Sequence, residues 1–398
     1  MLWGITLPGN GLIVVPTGGG KTHIISEFVR RLGQPVLILV PSKELLEQDY
    51  EKLSKVIAKK DIGIFSASMN IKEVKTYTLA TIQSAHKRPE LFAHYEVVII
   101  DEADLLNPKQ LDGMYNKFFK AIGNPRVIGL TATPFRLDSY YRRWGRLAWQ
   151  VETVTTIKFL TRYQQRFWAR VLHVVSVREL VEGGFLCPLT YHDKLMIPQE
   201  QLKVNKSKSD FDLQQFEDDY VPFISQTANL ISNIEQKSVL VFCATIAQAE
   251  ELQKLIKDSA IVTGTTAKKE RTQIVQGFRE GTIRVILNVG VLLVGFDKPD
   301  LEAIVIARPT RSLRLHSQML GRGMRIAVGK KTCHIYDLVG NVKSIGSAES
   351  ITIEKVPTKT GLLQWNVTSN ARKTGFHYAE LYSFQLKSKK TEEDDINN

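Results

Sequence analysis

Val14–Thr22 reads VVPTGGGKT, and the fold follows from what flanks it. Leu12-Ile13-Val14-Val15 is an apolar run of the kind that forms a short buried strand, and His23–Leu32 has a helical pattern. Strand, glycines, Lys-Thr and helix, in that order, are the setting of a phosphate-binding loop. Gly18, Gly19 and Gly20 let backbone N–H groups converge on one anion with no Cβ in the way. The helix start adds the positive end of its dipole. Pro16 and Thr17 complete the loop, Lys21 is placed to reach the outer phosphates, and Thr22 to ligate a magnesium ion. The pattern departs from its usual form once, with Val15 at the first glycine position.

Outward from the loop, apolar runs alternate with amphipathic stretches. Pro35–Val40, Ile62–Phe65, Tyr77–Thr81, Val97–Ile100 and Val127–Leu130 predict strands, and Lys43–Ala58 predicts a helix. Near-continuous apolar strands alternating with helices predict a doubly wound parallel sheet, whose ligands bind beyond the carboxyl ends of the strands. Val97–Ile100 delivers Asp101-Glu102-Ala103-Asp104 to such an end. Asp101 is placed to hold the magnesium ion, and Glu102 to orient and deprotonate the attacking water. The blander alternative is an acidic pair opening a surface helix. Leu130-Thr131-Ala132-Thr133-Pro134 repeats the design; Thr131 and Thr133 are candidates to bond the Asp101–Asp104 loop and relay the nucleotide state. A plain strand-to-turn transition would read similarly.

A chain of 398 residues predicts two domains with room for an accessory piece. Its 43% hydrophobic and 24% charged residues are ordinary for a soluble globular protein, and no apolar run approaches the roughly eighteen residues of a membrane span. The N-terminus carries no secretory pattern, so the expected compartment is the cytoplasm. Cys187, Cys243 and Cys333 are too scattered for a zinc site or a disulfide framework. The net charge of +12 points to a polyanionic partner.

Strand–helix alternation resumes after Gln236, with Ser238–Cys243, Ala260–Val262, Arg284–Leu287, Ala303–Ala307 and His334–Leu338 as strands of a second parallel sheet without its own phosphate loop. Between the halves, Phe135–Arg178 interleaves Arg136, Arg142, Arg143, Arg146, Lys158, Arg162, Arg166 and Arg170 with Tyr140, Tyr141, Trp144, Trp149, Phe159, Tyr163, Phe167 and Trp168. That mixture suits a nucleic-acid groove, and equally a satellite core with a solvated basic face. The polar run Gln199–Asp219 reads as a connector. The expected organisation is 1–150, first parallel-sheet domain with the phosphate loop; 151–225, basic/aromatic segment and connector; 226–344, second parallel-sheet domain; 345–398, an accessory element with an acidic tail. Trp365, Phe376, Tyr378, Tyr382 and Phe384 there are candidates for a wedge or for plain packing.

With these residues in place, the chain resembles a superfamily 2 helicase, an α/β motor of two tandem RecA-like domains. PTGGGKT resembles motif I, VPSKELLEQ (40–48) motif Ia, DEAD (101–104) motif II, LTATP motif III, VLVFCAT (239–245) motif IV, NVGVLLVGFDKPD (288–300) motif V and QMLGRGMR (318–325) motif VI. The TAT of motif III, the form of motif VI and the lack of a Q-motif separate it from the DEAD-box RNA helicases. It looks most like RadD-type DNA repair helicases, without their cysteine-rich zinc region, and like branch-migration helicases of tailed phages.

The resemblance implies ATP with Mg2+ as cofactors, single-stranded, forked or branched DNA as partner, and a monomer that needs no membrane and no zinc. It implies that Arg322 and Arg325, at i and i+3 of a helix Ser312–Met324, neutralise charge as the γ-phosphate leaves. Gly295 and Asp297 would contact nucleotide, and Asp104 and Gln318 would couple the two domains. Ser42, Thr81, Gln83, Thr263 and Gly264 would bind the DNA backbone. The implied activity is ATP-dependent unwinding or branch migration of forked DNA in replication, recombination or repair. The alternatives are translocation on duplex without strand separation, or action on RNA.

Overall fold

The computed structural model describes residues 9–110, 112–143, 151–163, 167–206, 209–290, 298–357 and 363–369, with backbone alone at 137–143, 151–156 and Gln364. The chain divides into two compact units, Met1–Asp138 with Ile157–Ser176, and Ser139–Thr156 with Val177–Asn398.

The strands of the first half are β1 (Gly11–Val14), β2 (Val36–Val40), β3 (Ile62–Ser66), β4 (Ile71–Lys72), β5 (Tyr77–Thr81), β6 (Val97–Asp101), β7 (Arg126–Thr131), β8 (Phe135–Arg143), β9 (Val151–Phe159) and β10 (Arg170–Val174). Eight of them form one sheet in the order β10-β1-β7-β6-β2-β5-β3-β4, while β8 and β9 pair separately. Every pairing in the large sheet is parallel except β3 with β4. Every residue of β1, β2, β3 and β6 is buried. Covered on both faces, such strands show no polar/apolar alternation, which is why the sequence presents them as unbroken apolar runs.

In the second unit, β11 (Leu189–Asp193), β12 (Val239–Cys243), β13 (Ser259–Val262), β14 (Val285–Asn288), β15 (Ala303–Ala307) and β16 (Cys333–Asp337) form a sheet in the order β11-β16-β15-β12-β14-β13, parallel throughout. Both units are therefore doubly wound parallel sheets, the expected α/β class. β17 (Ile351–Pro357) and β18 (Leu363–Ser369) form an antiparallel pair tied to the second unit by a bond from Ser369 Oγ to Ile345 O of 2.6 Å. Phe376, Tyr378, Tyr382, Phe384 and the acidic tail lie outside the described residues.

What the sequence groups as one connector, 151–225, is split by the structure between two cores. β10 joins β1 with Gly11 opposite Arg170, and β11 joins β16 with Leu189 opposite Cys333. Both are edge strands whose residues are mostly half-buried, so their sequences carry polar residues where central strands carry none.

The aromatic segment is also clarified where it is described. Trp168, Tyr163 and Phe159 are buried, and Phe167 stacks on Phe119 with ring centroids 5.5 Å apart. The Lys158 ammonium sits 4.7 Å from the Tyr163 ring centroid. These rings belong to the core of the first unit rather than to an open groove. Trp144, Trp149, Arg146 and Arg166, and the side chains of Tyr140, Tyr141, Arg142 and Arg143, lie outside the described residues.

Candidate nucleotide site

β1 ends at Val14, and Val15 N donates to Thr131 O at 2.9 Å, fastening the start of the loop to the end of β7. Gly19 N closes a turn onto Pro16 O at 2.9 Å. Gly18 and Gly20 take φ of +83° and +84°, the left-handed region that a side chain disfavours, so glycine is required there. Helix α1 (Lys21–Leu32) follows at once, with no side-chain cap at Gly20 and no acid in its first turn. Its opening amides are thus left for an anion from outside the helix.

β6 carries the acids to the same place. Glu102 adopts φ +53° and ψ +53°, a strained left-handed conformation for a residue with a Cβ. Its carboxylate meets the Lys21 ammonium, with Oε1 3.1 Å from Nζ and Lys21 9% exposed. Burial works to lower the Lys21 pKa, but Glu102, Asp101 and Asp104 outweigh it and hold the group above its ordinary value. Asp101 is 2% exposed and its Oδ1 has no hydrogen-bond partner. Burial, then the neighbouring charges of Glu102 and Asp49, push the Asp101 carboxyl well above the usual range, against the pull of Lys21.

Of the two expected hydroxyl bonds to the Asp101–Asp104 loop, the one from Thr131 is made, while the buried Thr133 hydroxyl has no partner among the described residues and Thr133 joins through its backbone N–H. Thr131 Oγ1 donates to Asp104 Oδ1 at 2.8 Å and accepts from Thr133 N at 2.9 Å, all in buried surroundings. Arg136 adds a bond to the Asp104 carbonyl.

One member of this cluster escaped the sequence reading. Asp49, on helix α2 (Lys43–Leu53), is 1% exposed and lies against Thr22 and Lys21, with neither carboxylate oxygen in a hydrogen bond of good geometry. Burial raises its pKa to about 6; Thr22 and Lys21 pull it down, and Glu102 pushes it up. The signal was available. Leu46, Asp49 and Leu53 are the buried residues of α2, spaced three and four apart, so the acid occupies a core-facing position.

Four acids, Asp49, Asp101, Glu102 and Asp104, therefore crowd one lysine. An Asp101 oxygen without a partner, a buried Asp49 and the Thr22 hydroxyl form a hard-oxygen donor set short of positive charge, which fits a small divalent cation.

In the second unit the arginine-bearing helix runs Leu313–Gly323, capped by Ser312 Oγ accepting from Leu315 N at 3.2 Å. Arg322 is buried on its last turn, and Gln318 is half-buried. Arg325 corrects the expectation of a shared helix face, because it lies two residues beyond the helix end. Glycines at 321 and 323 weaken this last turn. Burial lowers the Arg325 pKa to about 10, helped by nearby Arg279. Gly295 and Asp297 lie outside the described residues.

The residues expected to bind DNA divide in two. Ser42 caps α2 by accepting from Leu45 N at 3.3 Å, and buried Thr81 donates to Ser84 Oγ at 2.9 Å. Thr263 is buried in a turn with Thr265 and Thr266, held by Arg271. Gln83 and Gly264 are exposed, and Gln83 lines a cavity of about 330 Å³ with Pro41, Asn107 and Tyr115.

Two family models match the chain in tandem: the res subunit of type III restriction enzymes over residues 6–136, and the helicase conserved C-terminal domain over residues 223–327. Each falls on one of the two parallel sheets. The chain belongs to the superfamily 2 helicases. Among individual helicases of this kind, it is 26% identical over 375 residues to IRC3 of Saccharomyces cerevisiae, assigned as an ATP-dependent helicase, covering 88% of this chain and 50% of that one. It is 26% identical to the DNA 3'-5' translocase XPB2 of Sulfurisphaera tokodaii, covering 79% and 74%. A 51.5 kDa protein of a Lactococcus phage is 24% identical, covering 83% and 66%. The chain thus spans about half of the yeast relative and about two thirds of the phage one. In fold it is similar to an HsdR subunit fragment of a type I restriction enzyme from Vibrio vulnificus, with a TM-score of 0.60 at 18% identity over 85% of this chain and 62% of that one. The type ISP restriction-modification enzyme LlaBIII gives 0.59 at 16% over 84% and 26%. Among the described residues no helix is long and apolar enough to cross a membrane.

Proposed function

We propose that this helicase-family chain couples ATP hydrolysis to movement along DNA, unwinding or migrating forked and branched structures during replication, recombination or repair. The observation that carries the proposal is the Lys21–Glu102 pair, closed at 3.1 Å beside a glycine loop that opens a helix. The backbone N–H groups of Thr17, Gly18 and Gly20 and the Lys21 ammonium hold the phosphates, around the turn that Gly19 N closes onto Pro16 O. Glu102, turned toward them by its left-handed backbone, orients the attacking water and accepts its proton. Thr22 and Asp101 would hold Mg2+, with Asp49 beside them; bound there, the ion offsets phosphate charge. Arg322 and Arg325 neutralise charge as the terminal phosphate leaves, a role worth about 10³–10⁵ in rate. Gly295 and Asp297 contact nucleotide, while Asp104, Thr131, Thr133 and Gln318 pass its state onward. Exposed Gln83 and Gly264 are the better-placed DNA contacts; Thr81 and Thr263 shape the turns that present them, and Ser42 caps α2.

The likeness to restriction-enzyme motors favours a second reading, translocation on duplex without strand separation. ATPase activity titrated with single-stranded, duplex, forked and four-way DNA and with RNA, beside strand-displacement and triplex-displacement assays, tests both. Stimulation and strand separation on forked DNA are expected. Triplex displacement without strand separation selects the second reading, and stimulation by RNA alone overturns both.

A further inference from the structure

Lys330 follows the arginine-bearing helix in a short turn, its own N–H bonded to Ala327 O at 3.2 Å. An ammonium has three N–H donors and no acceptor. Here Nζ donates to Gly323 O at 2.8 Å, Arg325 O at 2.9 Å and Pro299 O at 2.9 Å, so the donors are fully used on backbone carbonyls.

The three carbonyls come from two places. Gly323 is the last residue of the helix, where carbonyls lack an intrahelical donor and the dipole is negative, a favourable place for a cation. Arg325 is one of the two candidate arginines. Pro299 lies two residues after Asp297, at the close of the segment that resembles motif V. The helix end is already fixed against β16, since a Cβ at Gly323 would stand 2.8 Å from Cys333 Sγ. Burial disfavours charge on Lys330, and Arg325 repels it, while Cys333, Cys187 and Asp300 act the other way. A second cation kept beside Arg325 at that cost needs a return, and the tripod of carbonyls is what the structure offers.

We propose that Lys330 is a positioning residue for hydrolysis: it pins the Arg325 backbone to the Pro299 segment, and so sets where the arginine side chain acts. This rests on the assignment of Arg325 to hydrolysis made above. A simple helix cap would predict a loss of stability with little change in turnover. A positioning role predicts lost turnover, because a misplacement of about 1 Å costs on the order of 10²-fold.

The test measures DNA-stimulated kcat and KM for ATP in Lys330→Met, Lys330→Arg, Arg325→Ala and the Lys330→Met/Arg325→Ala double variant, each checked for fold by circular dichroism and gel filtration. Lys330→Met should lower kcat at least ten-fold with KM within two-fold. Lys330→Arg should fail to restore it, because a planar guanidinium cannot meet three carbonyls around one tetrahedral nitrogen. The double variant should be no slower than Arg325→Ala alone. Wild-type kcat in Lys330→Met beside an impaired Arg325→Ala overturns the proposal while sparing the function it rests on. Losses that multiply in the double variant overturn it as well. Wild-type kcat in Arg325→Ala overturns both. Should Lys330→Met not fold, Lys330→Gln, which retains two donors, is read against the same outcomes.

Discussion

Gly129→Ala on β7 is the most exacting test of how the fold holds its acidic turn. Gly129 faces Leu12 of β1 and Ile100 of β6 across the sheet. An added Cβ would stand 2.5 Å from Ala103 Cβ, 2.5 Å from Trp168 Cη2 and 2.9 Å from Leu12 Cδ2. Carbon atoms pack at about 3.5–4.0 Å, so at least two contacts are short by about 1 Å. Ala103, Trp168 and Leu12 are all fully buried, leaving no solvent side into which to yield. Overpacking of this kind costs about 1–3 kcal/mol, and the squeeze from two directions puts Gly129→Ala near the top of that range. With a urea slope of about 2–3 kcal/mol/M, the midpoint of the first unit should fall by about 1 M. Relief by moving Ala103 also shifts Glu102, its neighbour, away from Lys21, so kcat should drop by about 10- to 100-fold. Adding Trp168→Phe, which removes Cη2, should recover part of both losses. A wild-type urea midpoint with wild-type turnover in Gly129→Ala would refute the packing described here, and so would strict additivity of the two substitutions.

Three further outcomes are expected. Lys21→Ala and Glu102→Gln should each abolish ATP hydrolysis while DNA binding, followed by fluorescence anisotropy, stays within a few-fold of wild type; wild-type turnover in either removes the site assignment. Thr131→Val deletes the donor to Asp104 and the acceptor for Thr133 N, and should cost about 2–4 kcal/mol in urea unfolding, since both partners are buried. Asp49, raised to about 6, and Asp101, raised well above its usual range, bind protons more tightly folded than unfolded, so without Mg2+ and nucleotide the first unit should gain thermal stability as pH falls from about 7.5 toward 5. Asp49→Asn should flatten that slope, raise the melting temperature at neutral pH and shrink the gain from added Mg2+; a slope unchanged in Asp49→Asn would show that the carboxyl is not held as described.

How much of this could be read beforehand depends on how local the cause is. The central strands were visible because burial on both faces leaves an uninterrupted apolar signature, and the loop because glycine at two left-handed positions has no substitute. The bond from Thr131 to the Asp101–Asp104 loop was anticipated from two strand ends carrying hydrogen-bonding residues to the same edge. β10 was not, because its pairing with β1 joins residues some 160 positions apart and its half-buried face looks like ordinary polar sequence. The aromatic segment was ambiguous for a related reason: rings in a satellite core and rings in a groove have the same composition, and Phe119, the partner that settles Phe167, lies far away in the chain.

Asp49 and Glu102 together suggest why the acids are arranged this way. A left-handed backbone at Glu102, a buried carboxylate at Asp49 and an Asp101 oxygen without a partner each cost stability in the isolated fold. They persist because unbroken apolar strands on either side hold the turn in place. Under the proposed function the carboxylate costs would fall when positive charge and phosphate arrive together, since a cation would satisfy Asp49 and Asp101 and the γ-phosphate would draw Lys21 from Glu102. Binding should therefore free Glu102 to take a proton from water at the moment substrate is present and leave it tied to Lys21 otherwise. On that reasoning the 3.1 Å ion pair is the resting lock of the site. Glu102→Gln, which weakens the lock as well as removing the base, should then bind ATP more tightly than wild type while failing to hydrolyse it; equal or weaker binding would separate the two roles and leave the ion pair a purely structural contact.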